Sequence, residues 1–235
     1  LIIVAGALAL LFVRLGLWQL SRRAERATVN AARLSRGAEA TLDWTSSGSV
    51  PRDTTGVTWR TVRVAGRYDR EHEIVLRGRS FEGRPGVEVL TPLMVGDAAI
   101  LVLRGWLPAA DGLRPDLAAG WPAAWPDSAR VEVRGTLIPP ATGKAGQPLS
   151  LESRGREHLV VAGADLAVIA ERLPYELLPH VVRLDRDAQG AAVLEQPPRA
   201  ELTLGNHFSY AVQWFAFAAI SLVGTAILVR MEGRA

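Results

Sequence analysis

The chain has 235 residues, 49% of them hydrophobic and 22% charged, with a formal charge of +3, a balance that excludes both a disordered chain and a polytopic transporter. The absence of cysteine excludes a disulfide scaffold, a zinc ribbon, a Cys-x-x-Cys redox site and haem attached covalently through Cys-x-x-Cys-His. Of the 27 basic residues all but Lys144 are arginine, and the 24 carboxylates are spread among them, so no nucleic-acid footprint is present.

Leu1 to Val13 is an unbroken apolar run, followed by Arg14 and then Leu15, Gly16, Leu17 and Trp18. An arginine can snorkel, so residues 1–20 read as one membrane helix, free to extend to about residue 35. The alternative is a signal-peptide core cleaved near Ala7-Leu8-Ala9. No methionine precedes Leu1, and further residues are expected ahead of it. Residues 36–201 read as a β-rich extramembrane domain. Its first stretch, 36–56, is rich in Gly, Ser and Thr and reads as loop. Strands are expected over Trp59–Tyr68, His72–Leu76, Val87–Met94, Ile100–Leu107 and Val131–Ile138, with a late pair at His180–Leu184 and Ala192–Leu194. Residues 139–150 read as loop. Ala164–Leu173 carries Leu166, Ile169, Ala170 and Leu173 on one face, with Asp165 ahead and Pro174 behind, which predicts a short helix. Leu202–Val229 holds 28 residues without Asp, Glu, Lys or Arg, enough for a second span, and 230–235 is a short tail. The expected fold is an α+β membrane protein: two transmembrane helices flank an antiparallel barrel- or sandwich-like domain with one short helix. Charge leaves the orientation open, because Arg22, Arg23, Arg26 and Arg33 oppose Arg230 and Arg234.

None of the four histidines, His72, His158, His180 and His207, forms His-Glu-x-x-His or an i, i+4 pair. Glu71-His72-Glu73 reads as a solvated strand edge. Gly-x-Ser-x-Gly is absent, and Gly78, Gly83 and Gly86 precede no helix, so a dinucleotide loop is excluded. A membrane-tethered hydrolase finds no support in these patterns. The polarity of the two spans stands out instead. Arg14, Trp18, Arg22 and Glu25 share one arc of the first helix. Asn206, His207, Tyr210, Trp214, Phe217 and Ser221 share one arc of the second, with Gln213 beside it. Polar side chains at such depth face protein, water or a bound group. The stripes therefore either dock the helices on each other or form a common binding surface. His207 reads either as an axial ligand for haem iron, flanked by Trp214 and Phe217, or as an interfacial histidine bonded to headgroups or backbone.

These segments are familiar. Leu15-Gly16-Leu17-Trp18-Gln19-Leu20-Ser21-Arg22-Arg23-Ala24-Glu25-Arg26 resembles the first-helix motif of the Surfeit-locus family of cytochrome c oxidase assembly factors. Asn206 to Ala218 resembles its second-helix motif. Arg84-Pro85-Gly86-Val87-Glu88-Val89-Leu90-Thr91-Pro92-Leu93, Val102-Leu103-Arg104-Gly105-Trp106-Leu107-Pro108 and the Val133-Arg134-Gly135-Thr136-Leu137 step are similar to signatures of its extramembrane domain, in the same order. Arg26 stands where the family usually has lysine, Leu103 where it often has asparagine, and Gly143–Val160 does not align. The resemblance implies a two-pass protein with its β domain in the periplasm or intermembrane space. The arginine-rich usage favours a bacterium, hence the cytoplasmic (inner) membrane. It further implies a non-enzymatic role in building haem-copper oxidase: transient binding of haem a through His207, with Trp18, Arg22, Tyr210 and Trp214 shaping the site. No catalytic residue is expected, and no metal other than the haem iron. The implied partners are the oxidase catalytic subunit, other assembly factors and the lipid bilayer. The alternative is a scaffold that never ligates iron and docks on oxidase helices, with Arg84–Leu93 and Arg104–Pro108 as its extramembrane face.

Overall fold

A computed structural model describes residues 2–46, 50–114, 130–139, 147–153, 156–185, 194 and 202–232. The chain divides into two compact units: Leu1–Leu34 with Ala200–Ala235, and Ser35–Arg199.

The first unit is a pair of helices, α1 (Ile2–Gly37) and a C-terminal helix (His207–Glu232). Both are long and apolar enough to cross a membrane, and the protein is a two-pass membrane protein. At about 1.5 Å per residue, the 36 residues of α1 reach roughly 54 Å, well beyond a hydrocarbon core of about 30 Å. The arginines from Arg22 onward therefore stand on helix that continues past the apolar stretch. Only Ala5, Ala9 and Gly16 on α1 and Ala211 and Ala218 on its partner are buried. Within the apolar stretches most other side chains are open to lipid.

Among the described residues, the second unit holds nine strands: β1 (Leu42–Trp44), β2 (Thr61–Tyr68), β3 (Ile74–Phe81), β4 (Arg84–Val95), β5 (Ala98–Pro108), β6 (Val131–Ile138), β7 (Leu149–Ser153), β8 (Arg156–Val161) and β9 (Glu176–Leu184). A short helix, α2 (Leu166–Ala170), precedes β9, and the C-terminal membrane helix is α3. Asp165 caps α2 by accepting a hydrogen bond from the Ala167 N–H at 3.1 Å, the role expected of a carboxylate at that position.

Five strands, in the order β2-β6-β9-β5-β4, close into a barrel where β4 returns to β2 through Arg67 opposite Met94 and Tyr68 opposite Leu93. The length of β4 makes this possible. Its second half closes the barrel, while its first half pairs with β3, which carries β8 and β7 as an outer flap. The ladder is mainly antiparallel, but β1–β2, β3–β8 and β5–β9 run parallel. β5 is buried on both faces. Ile100 and Val102 join Val62, Val64, Leu93, Val133 and Val182 in the barrel interior. Leu101 and Leu103 join Ile74, Leu90, Val181 and Ile169 of α2 outside it. A continuous apolar run is what a strand between two cores requires. Gly135 is dictated by closeness: a Cβ there would lie 2.6 Å from Val182 Cγ1 and collide with the Arg183 carbonyl.

The strands expected near 59–68, 72–76, 87–94, 100–107, 131–138 and 180–184 all occur, most of them longer than expected. Three were missed: β1 inside the expected 36–56 loop, β7 starting inside the expected 139–150 loop, and β8. Of the expected strand Ala192–Leu194, residues 192 and 193 lie outside the described residues, as do Lys144, Arg234 and the end of the tail.

Candidate functional site

The two membrane helices run antiparallel. Ser221 Oγ donates to the Ala5 carbonyl at 3.4 Å, Phe12 stacks on Trp214 with ring centres 5.7 Å apart, and Asn30 Nδ2 donates to the Thr203 carbonyl at 3.3 Å. Between these contacts the Phe215 ring lies on Gly16, where a Cβ would approach it to 2.6 Å. Small residues let the helices close on each other, and an aromatic cluster of Phe12, Trp214 and Phe217 fills the space between.

His207 opens α3. Its Nδ1 lies 2.7 Å from Gln19 Oε1. With the Gln19 amide oxygen toward the ring, the pairing matches the tautomer protonated at Nδ1, which leaves the Nε2 lone pair open; the opposite amide orientation would match the other tautomer. Nε2 has no hydrogen-bond partner among the described residues. The ring is half-buried, and its Cδ2 edge lies beside Gly205, whose φ of +65° belongs to the turn that starts the helix. A Cβ on Gly205 would sit 2.8 Å from Arg26 Nη1, so the Arg26 guanidinium covers that turn. Arg23 lies over the Phe208 ring at 4.8 Å. The first intrahelical hydrogen bond runs from the Tyr210 N–H to the Asn206 carbonyl, which leaves the N–H groups of the opening turn without helical acceptors.

The expected site residues therefore separate. His207 and Trp214 face α1. Tyr210 lies on the flank of α3 and is half exposed. Trp18 and Arg22 do not join them. The contacting residues Ala5, Ala9, Phe12, Gly16 and Gln19 lie roughly 140° around α1, at about 100° per residue, from Arg14, Trp18, Arg22 and Glu25. Arg22 instead pairs with Glu25 at 2.8 Å and covers Trp18 at 5.6 Å. The expectation that both polar stripes face each other is corrected: His207, Trp214, Phe217 and Ser221 of α3 turn toward α1, whereas the stripe of α1 does not turn toward α3. Gln19 was missed as a site residue, although it is an amide on the small-residue seam of α1 at the depth of His207.

The β unit holds a second polar group. Of Glu71-His72-Glu73, expected as a solvated edge, Glu71 is exposed, His72 is half-buried and Glu73 is buried. Glu73 is 1% exposed and accepts from Thr91 Oγ1 at 3.1 Å. His72 Nδ1 lies 2.7 Å from Asp69 Oδ2, which also accepts from the Tyr175 hydroxyl at 2.6 Å. Burial alone would raise the Asp69 carboxyl, but the hydrogen bonds from Tyr175 and His72 hold it below its ordinary value. Buried Arg104 lies 4.0 Å above the Tyr68 ring, and burial pushes the Tyr68 hydroxyl up to about 12. Burial also lowers the Arg104 guanidinium. These contacts anchor β2, β3, β4 and β5 where the barrel closes. Beside them, a cavity of about 550 Å3 is lined by Glu71, His72, Glu73, His158 and Arg172 among others. Among the described residues, no His, Asp and Glu cluster has the arrangement of a metal site.

The model of the SURF1 family matches residues 6–219, a span that includes most of α1, the whole β unit and the first half of α3. The chain belongs to the SURF1 family. Similar proteins occur in Mycobacterium bovis and Mycobacterium tuberculosis, each named an uncharacterised SURF1-like protein. They are 26% identical over 194 residues, covering 75% of this chain and 62% of theirs. The chain thus spans about three-fifths of the length of these relatives.

Proposed function

We propose that this SURF1-family chain is a non-enzymatic assembly factor for haem-copper cytochrome c oxidase, and that it holds haem a through His207 before the haem reaches the catalytic subunit. Membership of a family associated with oxidase assembly supports the role. The observation that carries the haem reading is the His207–Gln19 hydrogen bond of 2.7 Å. With the Gln19 amide oxygen toward Nδ1, it favours the tautomer with the lone pair on Nε2, the form of imidazole that ligates iron.

The surroundings fit such a group. Arg26 at the Gly205 turn and the unpaired N–H groups of the first turn of α3 are suited to a propionate. The aliphatic flanks of both helices suit a farnesyl tail. The role of haem is to be cargo, and this chain's part is to bind it, orient the ligand ring and keep it from water. In this reading the membrane is the bacterial cytoplasmic membrane, and the β unit lies on the periplasmic side, where it meets the oxidase subunits and other assembly factors.

The test is the absorption spectrum of the full chain isolated in mild detergent from cells that make haem a. The wild type is expected to carry a haem a spectrum, and His207→Ala is expected to lose most of it while keeping its β-sheet circular dichroism. Equal haem per mole in the two proteins would remove His207 as the ligand.

A further inference from the structure

We propose that the face of α1 turned away from α3 docks a membrane-spanning helix of another protein, one that carries a carboxylate at the depth of Arg14. This goes beyond the haem reading and requires no haem.

Arg14 interrupts an apolar run and is exposed on α1. It has no hydrogen-bond or ion-pair partner among the described residues. Along α1 it lies five residues, roughly 7.5 Å, deeper than the Gln19–His207 contact. Snorkelling is a poor remedy here. Helical side chains lean toward the N-terminus of their helix, and on α1 that is away from the nearer surface, where Arg22 and Arg23 stand. An arginine at that depth is costly, and such residues ordinarily face a protein partner, a backbone carbonyl or water.

The residues around it make a packing seam. Ala7, Leu11, Arg14 and Trp18 follow one another at spacings of 4, 3 and 4, the pattern of side chains that interlock with a neighbouring helix. Leu11 and Trp18 are each 49% exposed. The opposite seam, Ala5, Ala9, Phe12, Gly16 and Gln19, has the same spacing and is occupied by α3. So α1 has two seams, one filled and one unfilled.

Charge selects the occupant. Arg22 is already matched by Glu25 at 2.8 Å, so among the described residues of the apolar stretch Arg14 is the cation on this face without a partner. A second copy of the chain, paired about a two-fold axis normal to the membrane, would set Arg14 against Arg14. A helix with a glutamate or aspartate at that depth meets it with opposite charge and forms a hydrogen-bonded pair out of water.

The test uses the full chain, labelled with a donor fluorophore and reconstituted in phosphatidylcholine vesicles. Synthetic leucine-alanine transmembrane peptides carry the acceptor and differ at one position, set at the depth of Arg14: Glu, Gln or Leu. By energy transfer, the Glu peptide is expected to associate at least tenfold more tightly than the Leu peptide. Arg14→Leu should abolish that preference and Arg14→Lys should keep part of it. The Phe12–Trp214 contact, read by tryptophan fluorescence, serves as the control that the helix pair stays intact. Equal association of all three peptides would overturn the proposal, and so would a Glu preference that survives Arg14→Leu. A photoactivatable phosphatidylglycerol labelling the chain in an Arg14-dependent way, with no Glu preference, would assign Arg14 to a lipid headgroup and likewise overturn it.

Discussion

Gln19→Leu isolates the one contact on which the haem reading turns. Leucine keeps the size and helix propensity of the position but removes the acceptor 2.7 Å from His207 Nδ1. Interhelical hydrogen bonds in membranes contribute about 0.6 kcal/mol on average and up to about 1.7. A value near 1 kcal/mol corresponds to roughly a fivefold bias in the tautomer ratio, so the Nε2 lone-pair form should lose about that factor. Partners of metal-ligating histidines also fix ring orientation, and their loss typically costs about 10–100-fold in affinity. Two measurements separate these effects. In haem-free protein labelled with 15N-histidine, the His207 nitrogen shifts should move toward the other tautomer in Gln19→Leu and stay as in the wild type in Gln19→Glu. In a haem titration, Gln19→Leu should bind about 10–100-fold more weakly, with Gln19→Glu restoring most of the loss. Unchanged nitrogen shifts in Gln19→Leu would refute the tautomer argument directly, without reference to haem. Changed shifts with unchanged haem affinity would leave the hydrogen bond real and remove its functional meaning.

Two further outcomes test the β unit. Gly135→Ala places a Cβ against Val182 Cγ1 and the Arg183 backbone, and β9 cannot move aside without losing its pairing to β6. A cost of about 1–3 kcal/mol is expected, which lowers the thermal midpoint by about 2–4 °C per kcal/mol in a unit of this size; an unchanged midpoint would contradict the β6–β9 packing. Asp69→Asn tests linkage. The folded carboxyl lies below its ordinary value, so its charge stabilises the fold above the unfolded value of about 3.9, and that contribution disappears as pH falls through the lower folded value. Urea unfolding should show the variant less stable at pH 7, with the gap closing below about pH 4; a gap that is constant with pH would mean that the carboxylate's charge is irrelevant.

The β unit was legible wherever a strand has its own alternation or apolar run. The sequence of β6, Val131-Glu132-Val133-Arg134-Gly135-Thr136-Leu137-Ile138, announces its strand and both of its ends. β1 is three residues held in place by its parallel pairing to β2, and nothing local marks it. β7 and β8 mix charge into short strands that are stable because β8 lies on β3. Barrel closure rests on two residue pairs between β2 and β4, a non-local choice that no periodicity records. Glu73 looked solvated because its neighbours are charged. Its burial depends on Thr91, 18 residues away.

The membrane helices make the sharper point. Periodicity correctly grouped Arg14, Trp18, Arg22 and Glu25 on one face of α1, and an argument from polarity then turned that face toward α3. The step failed because hydrocarbon offers an aliphatic side chain as much as a neighbouring helix does. Helices in lipid therefore associate through close backbone approach, not through burial of apolar surface. Ala5, Ala9 and Gly16 permit that approach and Trp18 does not, so the small residues claim α3. Gln19 and His207 meet because they fall at the end of this same seam, where one hydrogen bond satisfies both. The polar stripe then stays outside, with a charge that the pair itself does not neutralise. The physics that joins α1 to α3 through its smallest residues also leaves Arg14 available to a third helix.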